Sequence, residues 1–482
     1  MTPGVRELEE VHVGTRDLRQ FLTVHDEERV TETEDRARRL NELIGERTVW
    51  NVNSTAVGGG VAEMLQSMLA FSRGLGIDTR WLVINGSPEF FQMTKRIHHA
   101  LHGENGDGSD LGSRERELYI TTLRDNAVDL CSRVQPGDFV ILHDPQTAGL
   151  APDLMKLGAH VVWRCHIGHD AVNAQSELGW NFLRPFIENV PAFVFSKRSY
   201  APAWCDPERV VVIPPSIDAF SAKNQELEPD TVRSILVNTG LIEGPMPKHG
   251  SCRFTRIDGT PGRVERHADV VRLGRAPLQN TPLIVQVSRW DPLKDMVGVM
   301  LGFERMLERA PDLDADLVLA GPNVFSVADD LEAPQVFEQV QSRWHELPDA
   351  VRDRVHLVNL PTDDVDENAA IVNALQRHAA IVVQKSLQEG FGLTVTEAMW
   401  KGRPVVASAV GGIVDQIEDG VSGCLLQDPR DLDEFARVTE TLLRDADLSS
   451  RIGAAARERV REHFLGIRHL LDYAELIERV VS

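Results

Sequence analysis

The chain has 482 residues, which is too long for one hydrophobic core and suits two domains. Its 51 basic and 73 acidic residues give a net charge of −22, which argues against a general nucleic-acid-binding or anionic-membrane surface. Five widely spaced cysteines suggest thiols in a reducing compartment, and neither a signal peptide nor an apolar run of membrane-spanning length is evident, so a cytoplasmic location is expected.

Short β-branched segments alternate with longer amphipathic ones in two series along the chain. The segments predicted as buried parallel strands are 48–53, 79–84, 138–144, 160–166, 192–196 and 210–216 in the first series. Those of the second series are 283–289, 315–321, 355–361, 380–386 and 404–412. Because helical segments separate the strands, the pattern predicts an α/β fold with two doubly wound parallel sheets, each forming a Rossmann-like domain.

The same pattern suggests where the domains begin and end. Residues 1–217 are predicted to form the N-terminal domain, and residues 281–465 the C-terminal domain. The segment 218–280 is rich in Gly, Pro and Arg without a clear period, and it is interpreted as an insertion or a linker. Residues 466–482 are predicted as an amphipathic helix that either caps the second domain or crosses back to the first.

A loop rich in glycine and glutamate, "SLQEGFGLTVTEAMWKG", follows the predicted strand 380–386. Gly390 and Gly392 allow a sharp turn and a close approach to a ligand, and the helix that follows offers unpaired amides to a phosphate. Glu389 can accept hydrogen bonds from sugar hydroxyls, and Glu397 can reach back toward a ribose. The alternative is that Glu389 is a solvated loop residue and Glu397 merely favours the start of the helix.

Two cations follow the first strand of the second series in "VSRWDPLKD". Arg289 ends the strand, and Lys294 comes five residues later across a Trp-Asp-Pro turn. Open parallel sheets bind ligands at the carboxyl ends of their strands, so these cations are candidates to neutralise a diphosphate as it leaves. The alternative is an ordinary solvated Arg and Lys.

A run of three glycines, Gly58, Gly59 and Gly60, lies between the first predicted strand and a helix. Its backbone amides could hold a phosphate or another substrate group. Neither G-x-G-x-x-G nor a following GK[ST] is present, so the dinucleotide fingerprint and the nucleotide-hydrolase loop do not fit. A run of glycines alone is a weak signal of function.

Polar side chains also end two neighbouring strands of the first series. His143 and Asp144 lie in "LHDPQ", and His166 ends "HVVWRCH". Such a histidine could bind sugar hydroxyls or could be a satisfied packing residue. Other histidine spacings lack a Glu or Cys complement, so no catalytic metal or other cofactor is expected.

Two of these motifs together resemble the donor site of a known enzyme class. "EGFGLTVTEAMWKGRPVVASAVGGI" and "SRWDPLKD" resemble the donor-site signature and the Arg/Lys diphosphate motif of retaining glycosyltransferases of the GT-B fold. With "NVNSTAVGGGVAEM", "FFQMTKRIHHALHG", "LHDPQTAGL" and "WRCHIG", the chain more narrowly resembles the trehalose glycosyltransferring synthases. The likeness runs from about residue 51 to about residue 460, with an interruption before residue 281.

The resemblance implies two Rossmann-like domains that face each other across a cleft, with the acceptor side in the N-terminal domain. It implies reversible transfer of glucose from an NDP-glucose, either ADP- or UDP-glucose, to free glucose to give α,α-trehalose. By the resemblance, Glu389, Arg289, Lys294 and His143 are catalytic. The donor is bound by Gly390, Phe391, Gly392, Leu393, Thr394 and Glu397; Gly58, Gly59 and Gly60 form a substrate loop, and His166 and Asp144 are acceptor-side candidates.

Other functions remain open at this level. A retaining trehalose phosphorylase would use free phosphate instead of a nucleotide, and another NDP-sugar transferase would take a different acceptor. A catalytically silent regulator that binds a sugar nucleotide is a third alternative. The preferred base, the direction of the reaction and a homodimeric assembly are also left open.

Overall fold

The computed structural model describes residues 8–56, 59–324 and 332–481. The chain forms two compact units, the first comprising Met1–Ser216 with Phe464–Ser482 and the second comprising Ile217–His463. Each unit contains a seven-stranded sheet whose strands are mostly parallel. The predicted fold class, an α/β chain with two Rossmann-like sheets, is therefore confirmed.

The first sheet has the strand order β1-β3-β2-β4-β5-β6-β7. Its strands are β1 (Glu9–Glu10), β2 (Val49–Asn53), β3 (Thr79–Val83), β4 (Phe139–His143), β5 (His160–Cys165), β6 (Ala192–Phe195) and β7 (Val210–Val212). Adjacent strands run parallel except β1, which pairs antiparallel with β3 at the edge. All six predicted strands of this series are present, with ends trimmed by one to four residues.

The helices of the first unit begin where polar residues cap their amides. They are α1 (Glu27–Ile44), α2 (Gly59–Gly74), α3 (Pro88–Leu101), α4 (Ser113–Arg133), α5 (Asp144–Thr147), α6 (Ala151–Leu157) and α7 (Ala174–Ile187). Asp26, Ser87 and Asn173 each accept a hydrogen bond from a first-turn amide of α1, α3 and α7. These caps satisfy donors that the helix itself leaves unpaired.

The main sheet of the second unit has the order β10-β13-β12-β11-β14-β15-β16. The strands of this unit are β8 (Arg253–Thr255), β9 (Pro261–Arg263), β10 (Asp269–Val271), β11 (Leu283–Val287), β12 (Asp316–Pro322), β13 (Val355–Leu360), β14 (Ile381–Gln384), β15 (Val405–Ser408) and β16 (Cys424–Leu426). Strand β10 pairs antiparallel with β13, and the other pairs of the main sheet are parallel. Strands β8 and β9 form a separate antiparallel hairpin.

Helices α8 to α16 belong to the second unit, and α17, the last helix of the chain, returns to the first. They are α8 (Pro229–Asn238), α9 (Met296–Arg309), α10 (Ala333–Glu346), α11 (Asp349–Arg352), α12 (Val365–His378), α13 (Leu393–Trp400), α14 (Ile413–Gln416), α15 (Leu432–Arg444), α16 (Ala446–His463) and α17 (Gly466–Val481). In the described part of the chain, no helix is both long and apolar enough to cross a membrane.

The segment 218–280, interpreted above as an insertion or a linker, folds as part of the second unit. It contributes α8, the β8–β9 hairpin and the edge strand β10, and α8 packs on α12. Arg256 bonds both carboxylate oxygens of Asp364 at the start of α12, at 2.9 and 2.7 Å. Ion pairs and short strands hold this segment, which explains why it shows no hydrophobic period.

The last helix, α17, belongs to the first unit, where it packs on α1 and α2. Its buried side includes Leu470, Tyr473, Ala474 and Ile477, an apolar stripe with helical spacing. Arg36 of α1 pairs with Glu478 at 2.8 Å on the rim of this contact. The predicted amphipathic helix thus exists, and the structure places it with the first sheet.

Each sheet has a point at which successive strands are added on opposite sides. In the first sheet β3 lies on one side of β2 and β4 on the other, and in the second sheet β12 and β14 flank β11 in the same way. Loops at the carboxyl ends of the two central strands separate there, which leaves room for a ligand. The candidate site residues lie at these two switch points.

Candidate functional site

The loops after β11 and β14 lie side by side at the switch point of the second sheet. A glutamine is buried near the end of each strand, Gln286 in β11 and Gln384 in β14. Gln286 donates to the carbonyl oxygen of Lys294 at 2.7 Å and accepts from the backbone amide of Lys385 at 3.1 Å. A buried amide needs such partners, so Gln286 ties the backbone of one loop to that of the other.

The first loop turns sharply just after Lys294. Asp291 accepts from a backbone amide two residues ahead at 2.9 Å and so caps a short 3-10 turn. Asp295 has a φ of +47° and caps α9 by accepting from the amide of Gly298 at 3.1 Å. This left-handed residue ends the turn and starts α9 directly after Lys294.

The Lys294 ammonium pairs with the Glu389 carboxylate, with 2.6 Å between Nζ and Oε2. The side chains are only 15% and 12% exposed, and the Ser386 hydroxyl donates to the same carboxylate oxygen at 3.2 Å. Glu389 is therefore largely enclosed and is not a solvated loop residue. The motif that follows β11 and the motif that follows β14 therefore meet here.

A second ion pair joins the same two loops, and here the ammonium follows β14 and the carboxylate follows β11. Lys385, whose side chain is 1% exposed, pairs with the carboxylate of Asp295. The amide of Leu387 also donates to the carbonyl oxygen of Leu293 at 2.8 Å. Because a buried ammonium is costly without a partner, this pair fixes where each loop starts.

The glutamate loop leads into α13 through Gly392, whose φ is +85°. No side chain caps the first turn of α13, so its amides keep their partial positive charge. Thr394 donates to Gln384 at 2.9 Å, and the carbonyl oxygen of Phe391 accepts from the Gln416 amide. These contacts fix the direction in which the uncapped helix start points.

A glycine that the sequence analysis did not single out completes this loop. Gly411 has a φ of +54°, and a Cβ there would lie 1.7 Å from the carbonyl oxygen of Glu389. The neighbouring amide of Gly412 donates to the carbonyl oxygen of Gly390 at 2.9 Å. The loop between Glu389 and Gly392 is thus shaped from outside by residues predicted to end the strand 404–412.

Glu397 lies on α13 and is buried. Lys223, from the segment 218–280, places its ammonium 3.8 Å from the Glu397 carboxylate. The Lys401 ammonium donates to the Glu397 carbonyl oxygen and to Asn224, both at 3.0 Å. Burial lowers the pKa of Lys401, and the nearby Glu397 opposes this effect.

The other predicted cation has a different environment. Arg289 pairs with Asp291 on its own loop at 3.0 Å, and 63% of its side chain is exposed. Of the two cations predicted from "VSRWDPLKD", Lys294 is the enclosed one.

In the first unit, the predicted residues at the ends of β4 and β5 form one cluster. His143 Nδ1 lies 3.0 Å from His166 Nε2, and the imidazole rings stack with 5.4 Å between their centres. His143 Nε2 lies 3.1 Å from the side-chain oxygen, Oδ1, of Asn51 on β2. Asp144, with a φ of +62°, accepts from the backbone amide of His166 at 2.8 Å.

Burial decides the protonation of this cluster. Burial, with a smaller effect of the Arg164 charge, holds the pKa of His143 and of His166 well below the usual histidine range. Burial also raises the pKa of Asp144 to about 6, against the opposing effects of its hydrogen bond and of Arg164. Both imidazoles are therefore neutral at pH 7 and suit hydrogen bonding to hydroxyl groups.

The predicted glycine loop is described in part. Gly58 lies outside the described residues. Gly59 and Gly60 are the first residues of α2, which begins shortly after β2 at the switch point of the first sheet. The role of this loop in substrate binding stays a prediction.

Several residues of these clusters were missed by the sequence analysis. Asp295, Lys385 and Arg164 each hold a contact described here, and Lys385 and Arg164 are fully buried. The available signal was a charged residue inside a segment predicted as a buried strand, in "AIVVQKS" and "HVVWRCH". A buried strand rarely carries a charge without a specific partner.

Solved structures share this architecture at low sequence identity. A trehalose-phosphate synthase from Burkholderia xenovorans, in complex with glucose-6-phosphate, matches with a TM-score of 0.65 and 14% identity over 90% of this chain and 100% of its own. The sucrose-phosphate synthase of Thermosynechococcus elongatus matches with a TM-score of 0.60 and 17% identity over 90% and 98%. These likenesses support the GT-B fold.

Two family models cover most of the chain. "Trehalose synthase, N-terminal domain" matches residues 51–202, and "Glycosyl transferases group 1" matches residues 275–459. The trehalose synthase of Pyrococcus horikoshii is 34% identical over 98% of each chain, and that of Rubrobacter xylanophilus is 32% identical over 98% of this chain and 100% of its own. A trehalose phosphorylase of Pleurotus pulmonarius is 28% identical over 85% of this chain and 54% of its own. The chain therefore belongs to the trehalose synthase family of glycosyltransferases.

Proposed function

We propose that the protein is a retaining glycosyltransferase that moves glucose from an NDP-glucose, either ADP- or UDP-glucose, to free glucose and so forms α,α-trehalose reversibly. The observation that carries the proposal is the enclosed pair of Lys294 and Glu389 beside the uncapped start of α13. A cation, a carboxylate and a row of amides together suit a sugar joined to a diphosphate. The names of the trehalose synthase relatives support the choice of sugar.

On the donor side, Glu389 accepts hydrogen bonds from the glucose hydroxyls. The amides of residues 390–393 and the start of α13 hold the sugar and phosphate oxygens, and Thr394 is part of the same surface. Glu397 accepts from the ribose hydroxyls, with Lys223 close to its carboxylate. A nucleoside diphosphate contacts both the phosphate end of this surface, at the start of α13, and the ribose end, at Glu397. Inorganic phosphate contacts only the phosphate end.

The chemical step breaks the bond between the anomeric carbon and the leaving phosphate oxygen through an oxocarbenium-like state. Lys294, Arg289 and the α13 amides stabilise the negative charge on that oxygen. The acceptor hydroxyl forms the new bond on the same face, and its proton passes to the leaving phosphate. Because these groups supply the positive charge, we expect activity to persist in EDTA.

The polar cluster of the first unit contacts sugar hydroxyls. A neutral imidazole offers one donor and one acceptor, which matches a hydroxyl group. His143 is assigned to the donor sugar, and His166 and Asp144 to the acceptor side. Gly59 and Gly60 at the start of α2 supply backbone amides to the substrate.

The purified protein incubated with ADP- or UDP-glucose and free glucose is expected to yield a disaccharide that trehalase splits and that shows two α-anomeric carbons by NMR. Omitting glucose is the control for hydrolysis. Failure to form any disaccharide with any nucleotide-glucose donor would reject the proposal. Phosphate-dependent cleavage of trehalose without a nucleotide would instead identify the phosphorylase suggested by the 26–28% identical relatives.

We predict that Glu389→Gln and Lys294→Ala each lower kcat by a factor of about 100 or more, the usual scale for losing one group that stabilises the transition state. Steady-state rates with saturating donor and acceptor measure the effect. Glu89→Gln and Lys95→Ala change exposed residues of α3 and serve as charge-matched controls. Near-normal kcat in both site variants, with folding intact, would show that the active site lies elsewhere.

A further inference from the structure

A fully buried arginine lies in the middle of the first unit. Arg164 is the fifth residue of β5, and its side chain has no exposed surface. Among the described residues, its guanidinium makes hydrogen bonds but forms no ion pair. A buried charge without a carboxylate at contact distance is costly, and it persists only when hydrogen bonds satisfy every donor.

The partners of Arg164 come from two sides. On the side of the strand ends, the Nε–H of Arg164 faces the ring of His166, with 3.4 Å from Nε to Nδ1 and 3.1 Å to Nε2. On the side of α17, one terminal nitrogen donates to the Tyr473 hydroxyl and lies 3.3 Å from His469 Nε2. The other terminal nitrogen donates to the carbonyl oxygen of Ile213 at 3.3 Å.

These contacts determine ring protons, because a guanidinium can only donate. His143 Nε2 faces the side-chain oxygen of Asn51, which can only accept, so the single proton of His143 lies on Nε2 and its Nδ1 is an acceptor. Nε2 of His166, 3.0 Å from that Nδ1, must then carry the proton and donate. Nδ1 of His166 is left as the acceptor for the Nε–H of Arg164.

The same reasoning applies to the helix side. Nε2 of His469 accepts from Arg164, so Nδ1 of His469 carries the proton and donates to the Ser216 hydroxyl at 2.8 Å. The ring of Tyr473 stacks on that of His469 with 5.1 Å between centres. Helix α17 thus holds the far end of the guanidinium in place.

We propose that Arg164 is a positioning residue, held by His469 and Tyr473 of α17, that fixes the orientation and the tautomer of His166 and His143. This inference rests on the proposed function, in which those imidazoles contact sugar hydroxyls. It assigns α17 a role in the reaction in addition to its packing. A tautomer exchange would break the chain of hydrogen bonds that runs from Asn51 through both imidazoles to Arg164 and would let the rings shift.

The charged and titratable groups that face this cluster are few. Arg164 and Asp144 face the two histidines from β5 and from the end of β4, and His469, Arg468 and Tyr473 face it from α17. Arg164 and burial act in the same direction and keep the imidazoles neutral. Removing the guanidinium therefore frees the rings to exchange tautomers and to take up protons at a higher pH.

The test is imidazole NMR on protein labelled with 15N-histidine, with His143 and His166 assigned by His143→Gln and His166→Gln. In the wild type, both rings are expected as the Nε2–H tautomer and to stay neutral through pH 6. Arg164→Met is expected to mix the tautomers and raise the protonation pH of His166. It is also expected to lower kcat about 10- to 100-fold, the scale for misplaced substrate contacts.

Tyr473→Phe keeps the ring and removes one acceptor of Arg164, so a smaller loss of about two- to tenfold is expected, with the same shift in tautomer populations. It keeps the test valid should Arg164→Met fail to fold. Arg468→Lys is the matched control, because Arg468 ties α17 to the carbonyl oxygens of Pro214 and Pro215 without touching His143 or His166.

Unchanged tautomers and an unchanged kcat in folded Arg164→Met or Tyr473→Phe would overturn the inference. Equal changes in Arg468→Lys would also overturn it, since they would show a general effect of loosening α17. The NMR readout needs no substrate. A failure of the proposed function would therefore leave the ring result interpretable, and the two failures can be told apart.

Discussion

Asp144 and Asp295 are the described non-glycine residues with a left-handed backbone, and each follows a candidate site residue. Asp144 comes directly after His143 in the first unit, and Asp295 directly after Lys294 in the second. Aspartate tolerates this conformation better than most residues because its carboxylate bonds to nearby backbone amides. Both do so, with the amides of His166 and Gly298.

Asp295 also neutralises Lys385, and this contribution can be isolated. Asp295→Asn keeps the helix cap and tolerates the left-handed backbone but leaves the Lys385 ammonium buried without its counterion. We expect the free energy of unfolding to fall by about 3–5 kcal/mol, with loss of turnover as the two loops separate. Urea unfolding and steady-state rates measure both effects.

Asp295→Asn combined with Lys385→Met removes both charges of the pair. The double variant is expected to be less destabilised than the sum of the single changes, because no unpaired ammonium remains. Additive losses would show that the ion pair does not brace the loops.

Single residues of the site were predictable where a motif carried them and not otherwise. Lys294 and Glu389 lie 95 positions apart, and only their motifs suggested that they would meet. Arg164 lies inside β5 and Lys385 directly after β14, and the sequence analysis assigned no role to either. Their roles depend on partners brought close by the fold, which a single sequence does not specify.

Among the elements of the second unit, the loop before α13 is held by close backbone contacts. Gly392 turns the chain into the helix, and Gly411 allows the next loop to pass against the carbonyl oxygen of Glu389. Any side chain at position 411 would push this carbonyl and the carboxylate it orients. The loop therefore depends on a residue about twenty positions away.

We predict that Gly411→Ala lowers both stability and turnover, while Gly420→Ala affects stability alone. Both glycines have positive φ, so each substitution costs about 1–2 kcal/mol in backbone strain. At Gly420 a Cβ meets nothing within 4 Å, whereas at Gly411 it meets Glu389, which adds about 1–3 kcal/mol. Thermal unfolding and kcat measure the difference, and equal kcat in the two variants would contradict the prediction.

The central strands and the edge strand β7 were predicted, whereas the other edge elements were not. The central strands are apolar on both faces, so a short run of β-branched residues identifies them. The edge strands β1, β10 and β16 have two or three residues each, too few for a pattern. The β8–β9 hairpin is held by charged residues, so hydrophobic patterning missed it.

At the scale of the whole molecule, two sheets of the same design each place a polar cluster at the point where strand order reverses. Periodicity predicted both sheets and the switch-point rule located the clusters, because both depend on local sequence. The placement of α17 in the first unit depends on packing between residues more than 400 positions apart, such as Arg36 and Glu478. The sequence analysis accordingly left that placement open.

The buried histidines make stability depend on pH. His143, His166 and His469 have lowered pKa values in the folded state, so the unfolded chain binds more protons below about pH 6.5. Stability is thus present above that pH and is lost as the pH falls, by about 1.4 kcal/mol per pH unit for each ring. Asp144 has a pKa raised to about 6, so its effect on the pH dependence of stability is opposite in sign and offsets that of one histidine.

We predict that His469→Gln reduces the slope of the unfolding free energy against pH between 5.5 and 6.5. The reduction corresponds to about one fewer proton taken up on unfolding. Urea unfolding at several pH values gives this slope. An identical slope in wild type and His469→Gln would show that His469 does not contribute.

Helix α17 completes the first unit but is synthesised after the whole second unit. About 250 residues separate the two parts of the first unit, which at ~5–20 residues per second delays the helix by roughly 12–50 s on the ribosome. During that interval the surfaces of α1 and α2 that α17 covers lack that helix. The rate of translation through the second unit therefore sets how long the Arg164 guanidinium lacks its hydrogen bond to Tyr473.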